Sequence, residues 1–157
     1  MNSSSHNLIN TPFLIKQASI DDLPICIRLL GAMFAENSEV YPTFDKELLE
    51  EGVKALIKGS NLLIIVNNSI GVGLLAMTIK QFPWSKEDFL SNELTYILPD
   101  FRSHNLEKRL LSLAEEYAKI NQLPLIFQCI STEQVGLKYK LLKKRGFQEL
   151  GFFMIKR

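Results

Sequence analysis

The sequence predicts an α/β (α+β) domain in which helices cover both faces of a mixed sheet. Its 157 residues are 46% hydrophobic and 22% charged, a balance typical of one globular domain with a real core. Short apolar runs are bounded by turn residues, which indicates strands. Between them lie longer stretches whose apolar residues recur every three or four positions, which indicates amphipathic helices. Strands and helices that alternate in this way favour a layered sheet.

The chain begins with a short strand and a helix. Pro12–Ala18 contains three consecutive apolar residues and forms the strand. Ser19 followed by two aspartates is typical of a capped helix start, because acidic groups favour the positive end of the helix dipole. The helix is predicted to continue to about Glu36. Its apolar residues at spacings of four, three and four are Leu23, Ile27, Leu30 and Phe34.

A second helix and a hairpin follow. Asp45–Lys58 is predicted as a helix that stops at Gly59. Leu62–Val66 is rich in aliphatic and β-branched residues and is predicted as a strand. The polar turn Asn67–Ser69 returns the chain into a paired strand, Ile70–Lys80.

The second half of the chain alternates strand and helix. Ser91–Leu98 is predicted as a strand that ends at a proline, and Leu106–Asn121 as an amphipathic helix. Pro124–Ile130 is continuously apolar, as in a strand buried on both faces. Thr132–Gly146 is predicted as a capped helix with Leu137, Leu141 and Leu142 turned inward, and Phe147–Lys156 as the last strand. The predicted order is β-α-α-β-β-β-α-β-α-β.

The composition excludes several classes of protein. A net charge of +1 provides no general attraction to nucleic acid, and no apolar run is long enough to span a membrane. Residues 1–11 are polar and predict a disordered tail rather than a signal peptide. Cys26 and Cys129 stand in apolar surroundings without a second cysteine or histidine nearby, so we expect two reduced, buried thiols and no metal site. A cytoplasmic location is the expectation.

Two segments resemble the GNAT superfamily of acetyl-CoA-dependent N-acetyltransferases. Glu93–Arg102 is similar to that family's fourth strand and the loop after it, and Leu141–Phe147 to its helix and Gly-Phe pair before the last strand. The order of elements is also the family's, so the resemblance covers residues 13–157. It implies a single domain over residues 12–157, with a mostly antiparallel, twisted sheet of about six to seven strands.

The resemblance implies a reaction and a binding site. Acetyl-CoA would serve as co-substrate, and a small-molecule or peptide amine would attack it directly. The pantetheine arm would lie along the backbone of the fourth strand, like an added strand, and the pyrophosphate at the start of the helix that follows. The residues implied in binding acetyl-CoA are Ile97, Leu98, Arg102, Ser103, His104, Asn105, Leu106 and Glu107.

The pyrophosphate loop departs from the family pattern at two positions. The family has glycine, then glycine or alanine, where this chain has Asn105 and Glu107. Asparagine tolerates positive φ better than most residues, so Asn105 is the milder change. A carboxylate 4–5 Å from a pyrophosphate costs about 3–4 kcal/mol at an effective dielectric constant near 20. Glu107 either weakens binding of the anion or points away as an acid that stabilises the helix start.

Two residues are candidates for proton transfer. Glu93, near the start of the fourth strand, is a candidate to accept a proton from the amine through water, with a solvated acid at the strand end as the alternative. The family often has a tyrosine general acid at the position of Leu142. Tyr139 lies about one helical turn away and is the substitute candidate, with a rim or core role as the alternative. The loop residue His104 is a further candidate, either as a phosphate contact or as a base.

Two functions remain open on the sequence. The first is an N-acetyltransferase whose amine enters under the aromatic-bearing loops Asn37–Phe44 and Phe82–Ser85. The second is a catalytically inactive binding or regulatory module that has lost CoA binding through Glu107. We expect no nucleic-acid or membrane partner. The resemblance also allows a homodimer through the last strands, since Gly151–Ile155 is apolar enough for an interface or a buried strand.

Overall fold

A computed structural model of the chain describes residues 13–38, 43, 45–128 and 135–150. These residues form a five-stranded sheet in the order β1-β2-β3-β4-β5. The first four strands are antiparallel, and β5 runs parallel to β4. The elements are β1 (Leu14–Gln17), α1 (Leu23–Glu36), α2 (Lys46–Lys58), β2 (Leu62–Asn67), β3 (Ile70–Gln81), β4 (Asp88–Ile97), α3 (Leu106–Ile120), β5 (Leu125–Phe127) and α4 (Val135–Lys144). Short 3-10 turns precede α1 and α3, at Ile20–Asp22 and Pro99–His104.

The sheet separates two hydrophobic cores, one on each face. On one face, α1 and α2 cover residues of the central strands such as Ile64, Leu74 and Tyr96. On the other face, α3 buries Leu106 and Leu110 against the alternate residues of the same strands. This division follows from the period of two along a strand, which sends successive side chains to opposite faces. The predicted mixed sheet with helices on both faces is confirmed.

Helix α1 begins and packs as its local sequence dictates. The backbone N–H and the hydroxyl of Ser19 both donate to the Asp22 carboxylate, at 2.8 and 2.9 Å. The Lys16 ammonium reaches the same carboxylate at 2.8 Å. The most buried stripe of the helix runs through Cys26, Leu29, Leu30 and Met33, one position away from the predicted one. Burial raises the pKa of the Cys26 thiol to about 11, so this cysteine is the inert, buried group that was expected.

The last third of the chain differs from the prediction in three respects. The described residues give five strands rather than six or seven, because residues 147–150 form no strand and the remainder of the predicted last strand lies outside the described residues. Strand β5 is half-buried along its length rather than fully buried. Leu137, predicted to face inward, is 64% exposed.

Some predictions fall on residues that the structure does not describe. They are the tail at residues 1–11, Cys129, most of the Asn37–Phe44 loop and the apolar segment Gly151–Ile155. Among the described residues, no helix combines the length and the apolar character that crossing a bilayer requires.

Candidate active site

Strand β4 loses its neighbour β5 halfway along. The parallel ladder joins Leu90, Ser91 and Asn92 to Leu125, Ile126 and Phe127 and ends there. On the other side of β4, the register with β3 shifts at the same place, since Asn92 faces Met77, Leu94 faces Ala76, and Glu93 is the extra residue of a β-bulge. Beyond Glu93, no strand among the described residues pairs with the edge of β4 that β5 has left.

The bulge also decides which backbone groups face the open edge. Before it, the Leu90 N–H donates to the Pro124 carbonyl beside β5, at 2.8 Å. After it, the Leu98 N–H donates to the Val72 carbonyl on β3, at 2.9 Å. In a regular antiparallel strand the N–H groups of two even-numbered residues point to the same side. Those of Leu90 and Leu98 point to opposite sides of β4, so the extra residue at Glu93 has reversed the alternation. The amides of Thr95 and Ile97 therefore face the open edge, whereas that of Leu98, expected to contact the co-substrate, is occupied.

Helix α3 begins beside the end of β4 with its first amides uncapped. Asn105, the N-cap residue, has φ 56° and ψ 20°, a left-handed conformation that asparagine adopts more readily than most residues. Its side chain makes no capping hydrogen bond. At α2, by contrast, the Asp45 carboxylate accepts from the Glu47 and Leu48 amides. The first N–H groups of α3 are thus left for another acceptor, and a helix start favours an anion.

Glu107 stands in this first turn, and its charge is balanced from a different helix. Its carboxylate lies 3.5 Å from the Lys138 ammonium of α4. The side chains of Glu107 and Lys138 are 36% and 27% exposed. A second ion pair lies farther along α3, between Glu115 and Arg145, the residue that follows α4, at 2.5 Å. The cation that contacts the Glu107 carboxylate is therefore Lys138, which is remote from it in the sequence.

The Arg102 side chain contacts α1 and the end of β4. Its terminal nitrogen donates to both carboxylate oxygens of Glu36, at 2.6 and 2.7 Å, and its Nε donates to the Ile97 carbonyl at 3.0 Å. The Tyr96 hydroxyl donates to the same Glu36 carboxylate at 3.0 Å, and the guanidinium lies over the Tyr96 ring. These contacts direct the Arg102 side chain toward α1 rather than toward the uncapped start of α3.

The cluster of Glu36, Tyr96 and Arg102 was missed in the sequence. Burial, followed by the hydrogen bond and charge of Glu36, raises the pKa of Tyr96 to about 12, so the phenol stays protonated as the donor. The three residues come from the end of α1, from β4 and from the turn before α3. Glu36 is separated from Arg102 by 66 positions, and no local spacing links residues so far apart.

Glu93, the candidate base, is the bulge residue itself. Its carboxylate accepts from the Thr78 hydroxyl at 2.6 Å and from the Lys80 ammonium at 2.7–2.8 Å. Partial burial raises the pKa of Glu93, but the hydrogen bonds from Lys80 and Thr78 outweigh it and hold the pKa below its usual value. The group is therefore ionised at neutral pH, as a proton acceptor must be, although it is a weaker base than a free glutamate.

Tyr139 is not joined to Glu93 by any contact among the described residues. It is 44% exposed on α4, and a hydrogen bond with Glu149 is the main cause that raises its pKa. The ammonium of Lys143 lies 5.9 Å from the ring centre. Leu142, at the family's tyrosine position, closes α4, since its carbonyl accepts from the Phe147 N–H while Gly146 takes φ 88°. Tyr139 therefore lies at the protein surface, at the edge of α4.

The remaining residues of the predicted loop have structural contacts. Leu106 is fully buried in the core under α3, so only its backbone is free for a ligand. Ser103 and His104 are exposed, and the Nδ1 of His104 lies 3.3 Å from the Phe101 carbonyl oxygen. The His104 ring stands edge-on to Phe13, with centroids 5.1 Å apart.

Of the two aromatic-bearing loops, the structure describes Phe82–Ser85 and, within Asn37–Phe44, only residues 37, 38 and 43. Asn37 follows Glu36, whose carboxylate accepts from the Tyr96 hydroxyl near the end of β4. The turn of Phe82–Ser85 precedes the first residue of β4, about 25 Å away along that strand. There Trp84 is 82% exposed and stacks on Phe82 at 5.4 Å.

Solved structures with this architecture include one that was determined with acetyl-CoA. A predicted acetyltransferase from Clostridium acetobutylicum, solved with acetyl-CoA, superposes with a TM-score of 0.73 at 15% identity over 93% of this chain and 96% of that one. An aminoglycoside 6'-N-acetyltransferase from Acinetobacter baumannii gives 0.68 at 15% identity over 93% and 97%. The chain has the GNAT fold.

Identities this low establish the GNAT fold and not the activity. A transcriptional regulator from Bacillus halodurans superposes equally well, with a TM-score of 0.72 at 18% identity over 93% of this chain and 99% of that one. No protein-family model matches the sequence, and no curated protein matches it. The function must therefore be argued from the site itself.

Proposed function

We propose that this protein is an N-acetyltransferase that uses acetyl-CoA to acetylate a primary amine by direct attack. The observation that carries the proposal is the open edge of β4. A strand edge with free amides binds an extended, amide-containing chain by adding it as a further strand. The Thr95 and Ile97 amides supply such an edge where β5 departs.

The start of α3 supplies the second half of the binding site. Its uncapped amides and the helix dipole favour a phosphate group, and Asn105 holds the required left-handed conformation without glycine. Lys138 neutralises Glu107 in the unliganded protein. In this proposal Arg102 contributes through the position of the loop rather than through direct contact with the anion.

The residues of the chain divide the chemical work between positioning and proton transfer. Acetyl-CoA supplies the activated acyl group. The amides of the β4 edge hold the reacting group in place and polarise its carbonyl. Glu93, ionised and fixed by Thr78 and Lys80, accepts the proton of the amine through water. The C–N bond forms as the C–S bond of the thioester breaks, and CoA leaves as a thiolate that takes a proton from water.

For the acceptor we propose a monoamine with some apolar surface. The carboxylates described on the face covered by α1 and α2 next to the site, Glu36 and Glu93, are each paired with a cation. A polycation needs free carboxylates to hold its several charges.

We also propose a reducing, cytoplasmic setting, which the buried free thiol of Cys26 supports.

One observation favours the second candidate, a binding or regulatory module without CoA. Glu107 places a carboxylate in the turn that would receive the pyrophosphate. If Lys138 does not neutralise this carboxylate when a ligand approaches, the carboxylate repels the pyrophosphate and prevents CoA from binding. The two candidates therefore differ in a measurable affinity.

Calorimetric titration with acetyl-CoA and with free CoA at moderate salt tests the proposal. We expect micromolar binding, and about three- to tenfold tighter binding for Glu107→Gln, because a repulsive charge is removed. Glu115→Gln is the matched control, since it removes the same charge from the far end of α3. An amine-panel assay of thiol release should follow. No binding of the wild type up to millimolar CoA would overturn the proposal and favour the module.

A further inference from the structure

We infer that Glu36 is a positioning residue that fastens the predicted co-substrate loop to the end of α1. The inference rests on the proposed function and concerns the clamp formed by Glu36, Arg102 and Tyr96. Glu36 is the last residue of α1, and Arg102 belongs to the 3-10 turn at Pro99–His104. One carboxylate thus joins two segments that are remote in sequence.

The turn at Pro99–His104 is anchored by aromatic packing and by this clamp. The rings of Phe101 and His104 stand edge-on to Phe13, with centroids 6.1 and 5.1 Å apart. None of its six residues is buried. Phe101 packs partly against the core under α3 and donates its N–H to the Leu98 carbonyl at 2.9 Å. The remaining strong fastening is Arg102, with two charge-assisted hydrogen bonds to Glu36 and one to the Ile97 carbonyl.

The clamp is stiff because each partner is itself held. The Tyr96 hydroxyl donates to Glu36, and its ring supports the guanidinium at 5.8 Å. The side chains of Arg102 and Glu36 are 33% and 24% exposed, so solvent screens the pair only in part. The backbone of the turn, and with it the uncapped start of α3, is held in the orientation that a phosphate group needs.

The test compares Glu36→Gln with Glu50→Gln, which removes an exposed carboxylate that forms an ion pair with Lys54 on α2. Limited trypsin digestion with mass spectrometry measures cleavage after Arg102, and cleavage after Lys119 at the other end of α3 is the internal reference. We expect Glu36→Gln to raise cleavage after Arg102 about fivefold or more and to leave Lys119 unchanged. Equal increases at both sites would show a merely structural role and overturn the inference.

Calorimetry with acetyl-CoA completes the test. We expect Glu36→Gln to weaken acetyl-CoA binding about tenfold. The double variant Glu36→Gln/Arg102→Gln should bind no more weakly than Arg102→Gln alone, because the two substitutions disrupt the same ion pair. Wild-type affinity in Glu36→Gln would overturn the inference. If Glu36→Gln loosens the loop but the wild type does not bind acetyl-CoA, the fastening is supported and the proposed enzymatic function fails.

Discussion

At the scale of single residues, the contacts of Arg102 and Glu107 determine which groups near the start of α3 are free to meet a ligand. Arg102 is where the family pattern has its arginine, yet its guanidinium is taken up by Glu36. Glu107 looks like a blocking charge in the sequence, yet it has Lys138 as a partner. Asn105 shows the opposite case, since its tolerance of positive φ was predictable from residue type and φ is 56°. Backbone preferences are local, whereas ion pairs depend on the fold.

Glu93 allows a test of the proposed base through its pH dependence. Its pKa is lowered, so the carboxylate contributes stability above the ordinary glutamate pKa and loses that contribution as pH falls through the lowered value. We expect Glu93→Gln to reduce kcat about 10²-fold or more with little change in the KM for acetyl-CoA. Between pH 6 and 9 the wild-type rate should follow deprotonation of the amine alone.

Thr78→Val provides a matched variant for this experiment. It removes one hydrogen bond from the Glu93 carboxylate and leaves the carboxylate in place. Since that hydrogen bond lowers the pKa of Glu93, the acid limb of the rate profile should move to higher pH. An unchanged kcat in Glu93→Gln would exclude Glu93 as the base.

At the scale of elements, the sequence predicts what local patterns encode. Helices α1, α2 and α3 and the β2–β3 hairpin were found within a few residues, because caps, turn residues and apolar spacing are all local. The predictions that β5 is fully buried and that Leu137 faces inward were wrong. Burial at both places depends on which other elements pack nearby. The bulge at Glu93 had no signal, since a β-bulge is defined by the register with the partner strand.

Packing of α1 on the sheet gives a prediction at this scale. A Cβ added to Gly71 would collide with the branched Ile25 side chain of α1, where Arg28 also binds the Gly71 carbonyl. We expect Gly71→Ala to destabilise the protein by about 1–3 kcal/mol, because helix and strand must separate. Chemical denaturation measures the change.

Gly52→Ala is the control for that substitution. Gly52 lies in α2 with open space around its Cα. Alanine should stabilise the helix there by about 0.5–1 kcal/mol. Loss of stability in Gly52→Ala of the size expected for Gly71→Ala would contradict the packing explanation.

At the scale of the whole molecule, the fold narrows the function without fixing the acceptor. The GNAT fold is shared with aminoglycoside acetyltransferases and with a transcriptional regulator at similar TM-scores. Glu36 and Glu93 are each paired with a cation, which is why we propose a monoamine rather than a polycation as the acceptor.

Kinetics over a panel of amines test this conclusion. We expect monoamines with an aromatic or aliphatic group to exceed polyamines and aminoglycosides by about tenfold or more in kcat/KM. Acetylated glycinamide, which has no amine, is the blank for thiol release. A polyamine or an aminoglycoside as the best acceptor would contradict the proposed acceptor class.

The single extra residue in β4 has a consequence for protein engineering. Because the bulge at Glu93 reverses the alternation, the positions of β4 that face a given side of the sheet have one parity before Glu93 and the other after it. The positions that tolerate substitution therefore follow two patterns offset by one residue. Deleting residue 93 would merge them and remove the bulge, while the Thr95 and Ile97 amides would keep facing the edge that β5 has left. A single deletion therefore separates the effect of the bulge from the effect of the exposed amides.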